Sequence, residues 1–153
     1  MAVQTETDVV AQNLGLMKQA DDAFNRRDLD AMDALHHPEV VAYTTGAMDE
    51  PTRILPPHRK LIENQIRAFP DVRVHNDPYP IQFGQGEWTT AISKMTGTFT
   101  GELIGPNGQP VPPTGKSFDV KFTTIGKWQD GQLVEEWVFW DQPTLLEQIG
   151  LAG

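Results

Sequence analysis

Gly131-Gln-Leu-Val-Glu-Glu-Trp-Val-Phe-Trp-Asp-Gln-Pro-Thr-Leu-Leu-Glu-Gln-Ile-Gly-Leu151 gathers apolar surface on both sides of one extended segment and closes it with an acid. Strict alternation from Leu133 puts Leu133, Glu135, Trp137, Phe139 and Asp141 on one side, and Val134, Glu136, Val138 and Trp140 on the other. A strand apolar on both faces is central in a sheet, so each face must meet packed material. Pro143 ends ladder pairing and suits the first turn of a helix carrying Leu145, Leu146 and Ile149, with Gly150 as its stop. Asp141 then has two readings: an N-cap of that helix, or an acid set among aromatics. The roles can coexist.

Upstream, Asp130-Gly131 is the strongest hairpin signal in the chain, and it pairs this strand with one running from Ser117 to Trp128. In that partner Phe118, Val120, Phe122 and Trp128 share a face opposite Asp119, Lys121, Thr123 and Lys127. Before it lie a Pro- and Gly-rich connection over 105–115 and a strand from Trp88 to Thr100, entered through Gly84-Gln85-Gly86. Val72 and Val74, then Ile81 and Phe83, suggest a bulged or edge strand interrupted by Pro78 and Pro80. The N-terminal third is helical in period. Val10, Leu14, Met17, Ala20 and Phe24 mark a helix from about Asp8 to Arg26. Asp28 caps a second helix carrying Leu29, Met32 and Leu35, stopped by His36-His37-Pro38. A short strand over 40–43 and a loop over 46–57 lead to a third helix bearing Leu61, Ile62, Gln65, Ile66 and Phe69. Helices followed by antiparallel strands predict an α+β fold, with the three N-terminal helices on the concave side of a strongly curved sheet and a short C-terminal helix. Such a sheet leaves a hollow suited to a small molecule.

The 153 residues suffice for one domain, 1–153, burying about two-thirds of the unfolded surface. The absence of cysteine removes thiolate nucleophiles, disulfides and zinc ribbons, and with no basic, apolar leader the expected location is cytoplasmic. No apolar run approaches the roughly 20 residues that span a bilayer. A net charge of −9 disfavours nucleic acid and anionic lipid.

Four segments in order carry a family resemblance. They are Ala68-Phe69-Pro70-Asp71, Gly97-Thr98-Phe99-Thr100-Gly101-Glu102-Leu103, Pro113-Thr114-Gly115-Lys116, and the tail from Asp130-Gly131 through Glu135-Glu136-Trp137 and Trp140-Asp141 to Leu151. Together they resemble SnoaL-like polyketide cyclases. The resemblance implies the cone-shaped fold shared with nuclear transport factor two and ketosteroid isomerase, and a homodimer packed through the outer sheet face. It also implies a cofactor-free acid/base enzyme closing an aldol ring on a small apolar or aromatic carbonyl compound, with Asp141 as base and acid. Phe99 occupies a slot where the family often has histidine. A non-catalytic small-molecule-binding dimeric module, or an isomerase or dehydratase of the same fold, is the alternative.

Around Asp141 the expected ligand-binding set is Glu135, Trp137 and Phe139 on its face, with Tyr43, His58, Met95 and Phe99. Trp137 reads more as core filling than as a ligand contact, Tyr43 equally as a core aromatic or an oxyanion donor, and Glu135 suits binding more than proton transfer. His36 and His37 sit at a helix end, where a surface role is expected. No two histidines have metal-ligand spacing with an acid on one face, so no metal or cofactor is expected.

Overall fold

The computed structural model describes residues 5–151, and the reading of Met1 to Gln4 as free of a targeting leader lies outside them. Helix α1 spans Glu6–Asn25, and its first turn is closed by a reciprocal capping box between Thr5 and Asp8. Helix α2 (Leu29–Ala34) begins at the Asp28 cap, whose side chain accepts from the Ala31 amide. Strand β1 then runs His36–Thr44, longer than the four residues expected, and takes in the His36-His37-Pro38 segment read as a helix stop. Two-residue β2 (Thr52–Arg53) leads into α3 (Leu55–Ala68), with proline in its first turn where no amide is needed. Then follow β3 (Arg73–Val74), β4 (Ile81–Gln85) and β5 (Trp88–Thr98). The 105–115 connection is partly ordered, since β6 (Leu103–Ile104) and β7 (Pro110–Val111) pair as a small separate ribbon. Strands β8 (Ser117–Gln129) and β9 (Gln132–Trp140) form the expected hairpin, and α4 (Gln142–Gln148) closes the chain.

The main sheet has the order β2-β1-β9-β8-β5-β3, with β4 also on β5. All its pairings are antiparallel except β1 with β9. The tail strand is therefore central, as its two apolar faces require. Helices α1, α2 and α3 cover the concave side, where Phe24, Met32, Val74, Met95, Phe118, Val120 and Leu145 share one buried cluster. No helix among the described residues is long and apolar enough to cross a membrane.

One irregularity changes what the tail strand presents. Trp128 pairs with Leu133, but Lys127 pairs with Glu135, leaving Val134 without a partner. This β-bulge shifts the alternation by one residue, and a one-residue shift sends every later side chain to the opposite face. Leu133 still points inward and is buried. Beyond the bulge it is Glu136, Val138 and Trp140 that face the helices, opposite Gly126, Thr124 and Phe122 of β8. Glu135, Trp137 and Phe139, expected in the hollow, lie on the outer face. A second irregularity in β1, between His36 and Val41, sets His36 opposite Leu133 on the inner side.

Trp128 anchors the hairpin: it is buried, and its Nε1 donates to Thr89 Oγ1 at 2.9 Å. Trp128→Phe leaves that hydroxyl unpaired and is expected to cost about 1–3 kcal/mol, read as a lower urea midpoint with an unchanged slope.

Candidate functional site

Between the helices and the concave sheet lies a hollow of about 80 Å³ lined mainly by apolar side chains, among them Met17, Phe24, Leu61, Met95, Phe122 and Trp140. Gln65, Met95 and Trp140 also line a second chamber of about 120 Å³ beneath α4. Four ionisable side chains enter the first chamber: Asp21, His36, His58 and Glu136.

Each arrives from a different element. Asp21 stands on the apolar stripe of α1, one turn after Met17 and one before Phe24. His36 opens β1, His58 sits in the second turn of α3, and Glu136 is delivered by the bulge in β9. Glu136 Oε2 lies 3.2 Å from His36 Nε2 and 3.9 Å from His58 Nε2. The imidazole rings are 4.6 Å apart between centroids. His36 Nδ1 is 2.8 Å from the Met32 carbonyl oxygen and therefore carries a proton toward it. His58 Nδ1 is buried with no hydrogen-bond partner. Both histidines are 2% exposed, so each nitrogen must be satisfied inside the protein or by a bound molecule.

The charges follow from this packing. Burial alone pushes the Glu136 carboxyl up, but the bond from His36 and the proximity of His58 outweigh it and hold the group well below the usual carboxylate range. Burial pulls His36 down, while Glu136 and the Met32 carbonyl outweigh it and raise the imidazole above its ordinary value. Asp21 behaves oppositely. Desolvation is the main cause that pushes its carboxyl up to about 7, the Tyr79 hydroxyl opposes it, and the negative charge of Glu136 adds to it. Tyr79 donates to Asp21 Oδ2 at 2.5 Å, and Oδ1 accepts no hydrogen bond among the described residues. The accessible part of Asp21 belongs to a side chain lining the hollow, so its partial exposure is consistent with strong desolvation.

Of the residues expected from sequence, His58 and Met95 line the hollow. Asp141 does not. It is exposed and caps α4: Oδ1 accepts from the Thr144 amide at 3.1 Å, and Oδ2 from the Thr144 hydroxyl at 2.6 Å. Those bonds hold its carboxyl below the usual range, whereas a base in an apolar cavity would be raised. Tyr43 stacks on Trp137 at 3.8 Å between centroids, with Phe139 next in line at 6.4 Å, all on the outer face. Glu135 lies opposite Lys127 on that same face. Phe99 is fully buried in the core, 5.7 Å from the Phe69 ring, and lines neither chamber. The expectation that no metal-ligand set exists is also corrected: His36, His58 and Glu136 bring three ligand atoms within 4.8 Å of one another. Sequence spacing could not show it, because the three belong to separate elements. His36 was expected at the surface and Glu136 on the wrong face. Asp21 left the clearest trace, an acid inside an apolar helical stripe.

No curated protein matches the chain. Solved structures do. IdmH of Streptomyces antibioticus is 26% identical, with a TM-score of 0.72 over 91% of this chain and 99% of its own. AclR of Streptomyces galilaeus is 24% identical, with a TM-score of 0.76 over 94% and 88% of the two chains. A SnoaL-like protein of Jannaschia sp. CCS1 is 19% identical yet superposes with a TM-score of 0.82 over 99% of both. The sheet order, the helices over its concave face and the terminal helix are thus a shared fold, and a family profile spans residues 15–149: the chain belongs to the SnoaL-like polyketide cyclase family.

Proposed function

We propose that the chain is an acid/base enzyme that enolises a small apolar carbonyl compound, with ring closure of the polyketide-cyclase type as the reaction. The observation that carries this reading is the pairing, in one apolar hollow, of a carboxyl raised to about 7 with a buried histidine cluster. Asp21 takes the carbon-bound proton, and the electron pair left behind forms the enolate. His58, whose Nδ1 has no partner, donates to the oxygen on which charge develops. The enolate carbon attacks a second carbonyl carbon, and the proton held by Asp21 passes to the new alkoxide. Returning it to a different carbon would make the same site an isomerase. Tyr79 and the Glu136–His36 pair hold Asp21 and His58 in place.

A base with a pKa near the working pH combines ionisation with proton affinity. The test is solvent deuterium uptake at the α-carbon of apolar 1,3-dicarbonyl compounds, followed by NMR. The exchange rate is expected to rise as pH increases toward about 7 and level off above it, as Asp21 becomes ionised. Asp141→Asn, which keeps a capping side chain, should leave the rate unchanged. A profile flat from pH 5 to 8, or loss of exchange in Asp141→Asn, would defeat the assignment.

The outer aromatic stripe of Tyr43, Trp137 and Phe139, with Phe139 38% exposed, supports homodimerisation through that face. Trp137→Asp is then expected to sediment as a monomer while the parent sediments as a dimer. A monomeric parent would refute this.

A further inference from the structure

We propose that His36 Nε2, His58 Nε2 and Glu136 Oε2 bind one divalent transition-metal ion of the zinc class, open to the hollow. This rests on the reading above in one respect, that the cluster lines the same hollow as Asp21. It replaces the cofactor-free expectation with a resident ion.

Proton placement is the first argument. His36 Nδ1 faces a carbonyl, which only accepts, so the nitrogen is N–H. In the neutral ring Nε2 is then a lone pair, yet it faces a carboxylate oxygen at 3.2 Å. A cation between them is required, either a second proton on His36 or a metal ion. A proton serves that pair alone, because His58 Nε2 is 3.9 Å from the same oxygen, beyond hydrogen-bond reach. A metal ion serves all three.

Geometry is the second. Tetrahedral zinc with bonds of about 2.0–2.1 Å to nitrogen and oxygen places its ligand atoms ~3.3 Å apart. The two observed separations, 3.2 and 3.9 Å, bracket that edge, and all three ligand atoms lie within 4.8 Å of one another. Completing the set closes the longer carboxylate separation by ~0.6 Å and the two imidazole nitrogens, which lie no more than 4.8 Å apart, by up to ~1.5 Å through side-chain rotation on ion binding.

Surroundings are the third. A metal-bound histidine characteristically donates its other nitrogen to a carbonyl or carboxylate, which fixes the tautomer and the ring plane. The Met32 carbonyl does this for His36. The three side chains line the hollow, so a carbonyl oxygen entering it could complete the coordination sphere. Two histidines and one glutamate with an open position form a known donor set for zinc.

The experiment uses the full untagged chain stripped with chelator, titrated with Zn²⁺ by calorimetry and with Co²⁺ by visible absorption. The expected result is one saturable equivalent and Co²⁺ bands of tetrahedral intensity. Affinity should fall by ~100-fold or more in His58→Ala and Glu136→Gln, at or beyond the 10–100-fold typical of losing a supporting partner. His37→Ala with His75→Ala, which alters the two histidines outside the cluster, should bind as the parent does. Should the cluster variants fail to fold, X-ray absorption of the Zn²⁺-loaded parent still reads two imidazoles and a carboxylate. No saturable binding, binding undiminished in the cluster variants, or a zinc shell lacking two imidazoles would overturn the inference. The two readings separate cleanly. Deuterium exchange by metal-free protein that binds no zinc leaves the catalytic reading standing and removes the ion, whereas stoichiometric zinc binding without exchange on any tested carbonyl compound does the reverse.

Discussion

Asp21→Asn is expected to make the protein more stable and to remove turnover at the same time. The carboxyl of Asp21 goes from the ordinary 3.8 to about 7 on folding. Between those values the folded state holds a proton that the unfolded state has released. Stability therefore falls as pH rises through this window, and what is present below the unfolded pKa is lost above the folded one. Each pH unit is worth about 1.4 kcal/mol, so the full window corresponds to at most about 4 kcal/mol. Solvent reaching the hollow reduces this, and about 2–4 kcal/mol is the expected range. Asparagine carries no charge at any pH and still offers an oxygen to the Tyr79 hydroxyl. The variant should match the parent near pH 4 and exceed it above pH 7, as read by urea denaturation at both. Deuterium exchange should drop by about 10²–10⁴-fold, the usual contribution of a positioned base. Higher stability with undiminished exchange would take Asp21 out of the chemistry; a pH-independent stability difference would show that its carboxyl is not perturbed. An acid retained at a cost in stability, inside a stripe otherwise made of Met17, Ala20 and Phe24, is the pattern expected where function opposes folding.

The architecture could be read from the chain because several local signals agree on it. The helical stripes, the Asp130-Gly131 turn and the alternation in β8 each specify one element, and together they admit few arrangements. The site could not, and the reason lies in β9. Register is set strongly where one face is apolar and the other polar, but Val134 to Trp140 is apolar on both sides, so the pattern gives no penalty for a slip of one residue. The unpaired Val134 then decides which glutamate enters the hollow, and strict alternation chooses Glu135 instead of Glu136. His36 was hidden for a related reason. His36-His37-Pro38 has the composition of a helix stop, yet the irregularity in β1 lets the segment begin a strand and turn His36 inward. Asp141 was half legible. The Trp-Asp-Gln-Pro-Thr segment carries an N-cap signal, and the cap is what the structure shows. The family resemblance fixed the fold around that aspartate without fixing the cavity it would have to face.

In the metal-free protein Glu136→Ala should destabilise the fold by about 3–5 kcal/mol, the cost of removing one partner of a buried ion pair and leaving the other uncompensated. Glu136 is only 13% exposed in its side chain, and His36 2%, so little solvent screening reaches the pair. The pH dependence follows from the two directions. The Glu136 carboxyl is lower in the fold than outside it, so its contribution is present above the ordinary glutamate pKa and fades as pH falls through the folded value. His36 is raised, so its contribution is present below the ordinary histidine pKa and fades as pH rises through the folded value. The loss in Glu136→Ala should therefore be greatest between about pH 4.5 and about pH 6.5, where both groups are charged in either state, and smaller on the alkaline side. Glu135→Ala supplies the comparison. One residue away but beyond the bulge on the outer face, opposite Lys127, it should change stability by no more than about 0.5 kcal/mol. Equal losses in the two variants, or a larger loss at Glu135, would mean that Val134 is paired and that the alternation continues unbroken from Leu133. The contrast between two adjacent glutamates thus tests the bulge itself, and with it the placement of every side chain from Glu135 to Trp140.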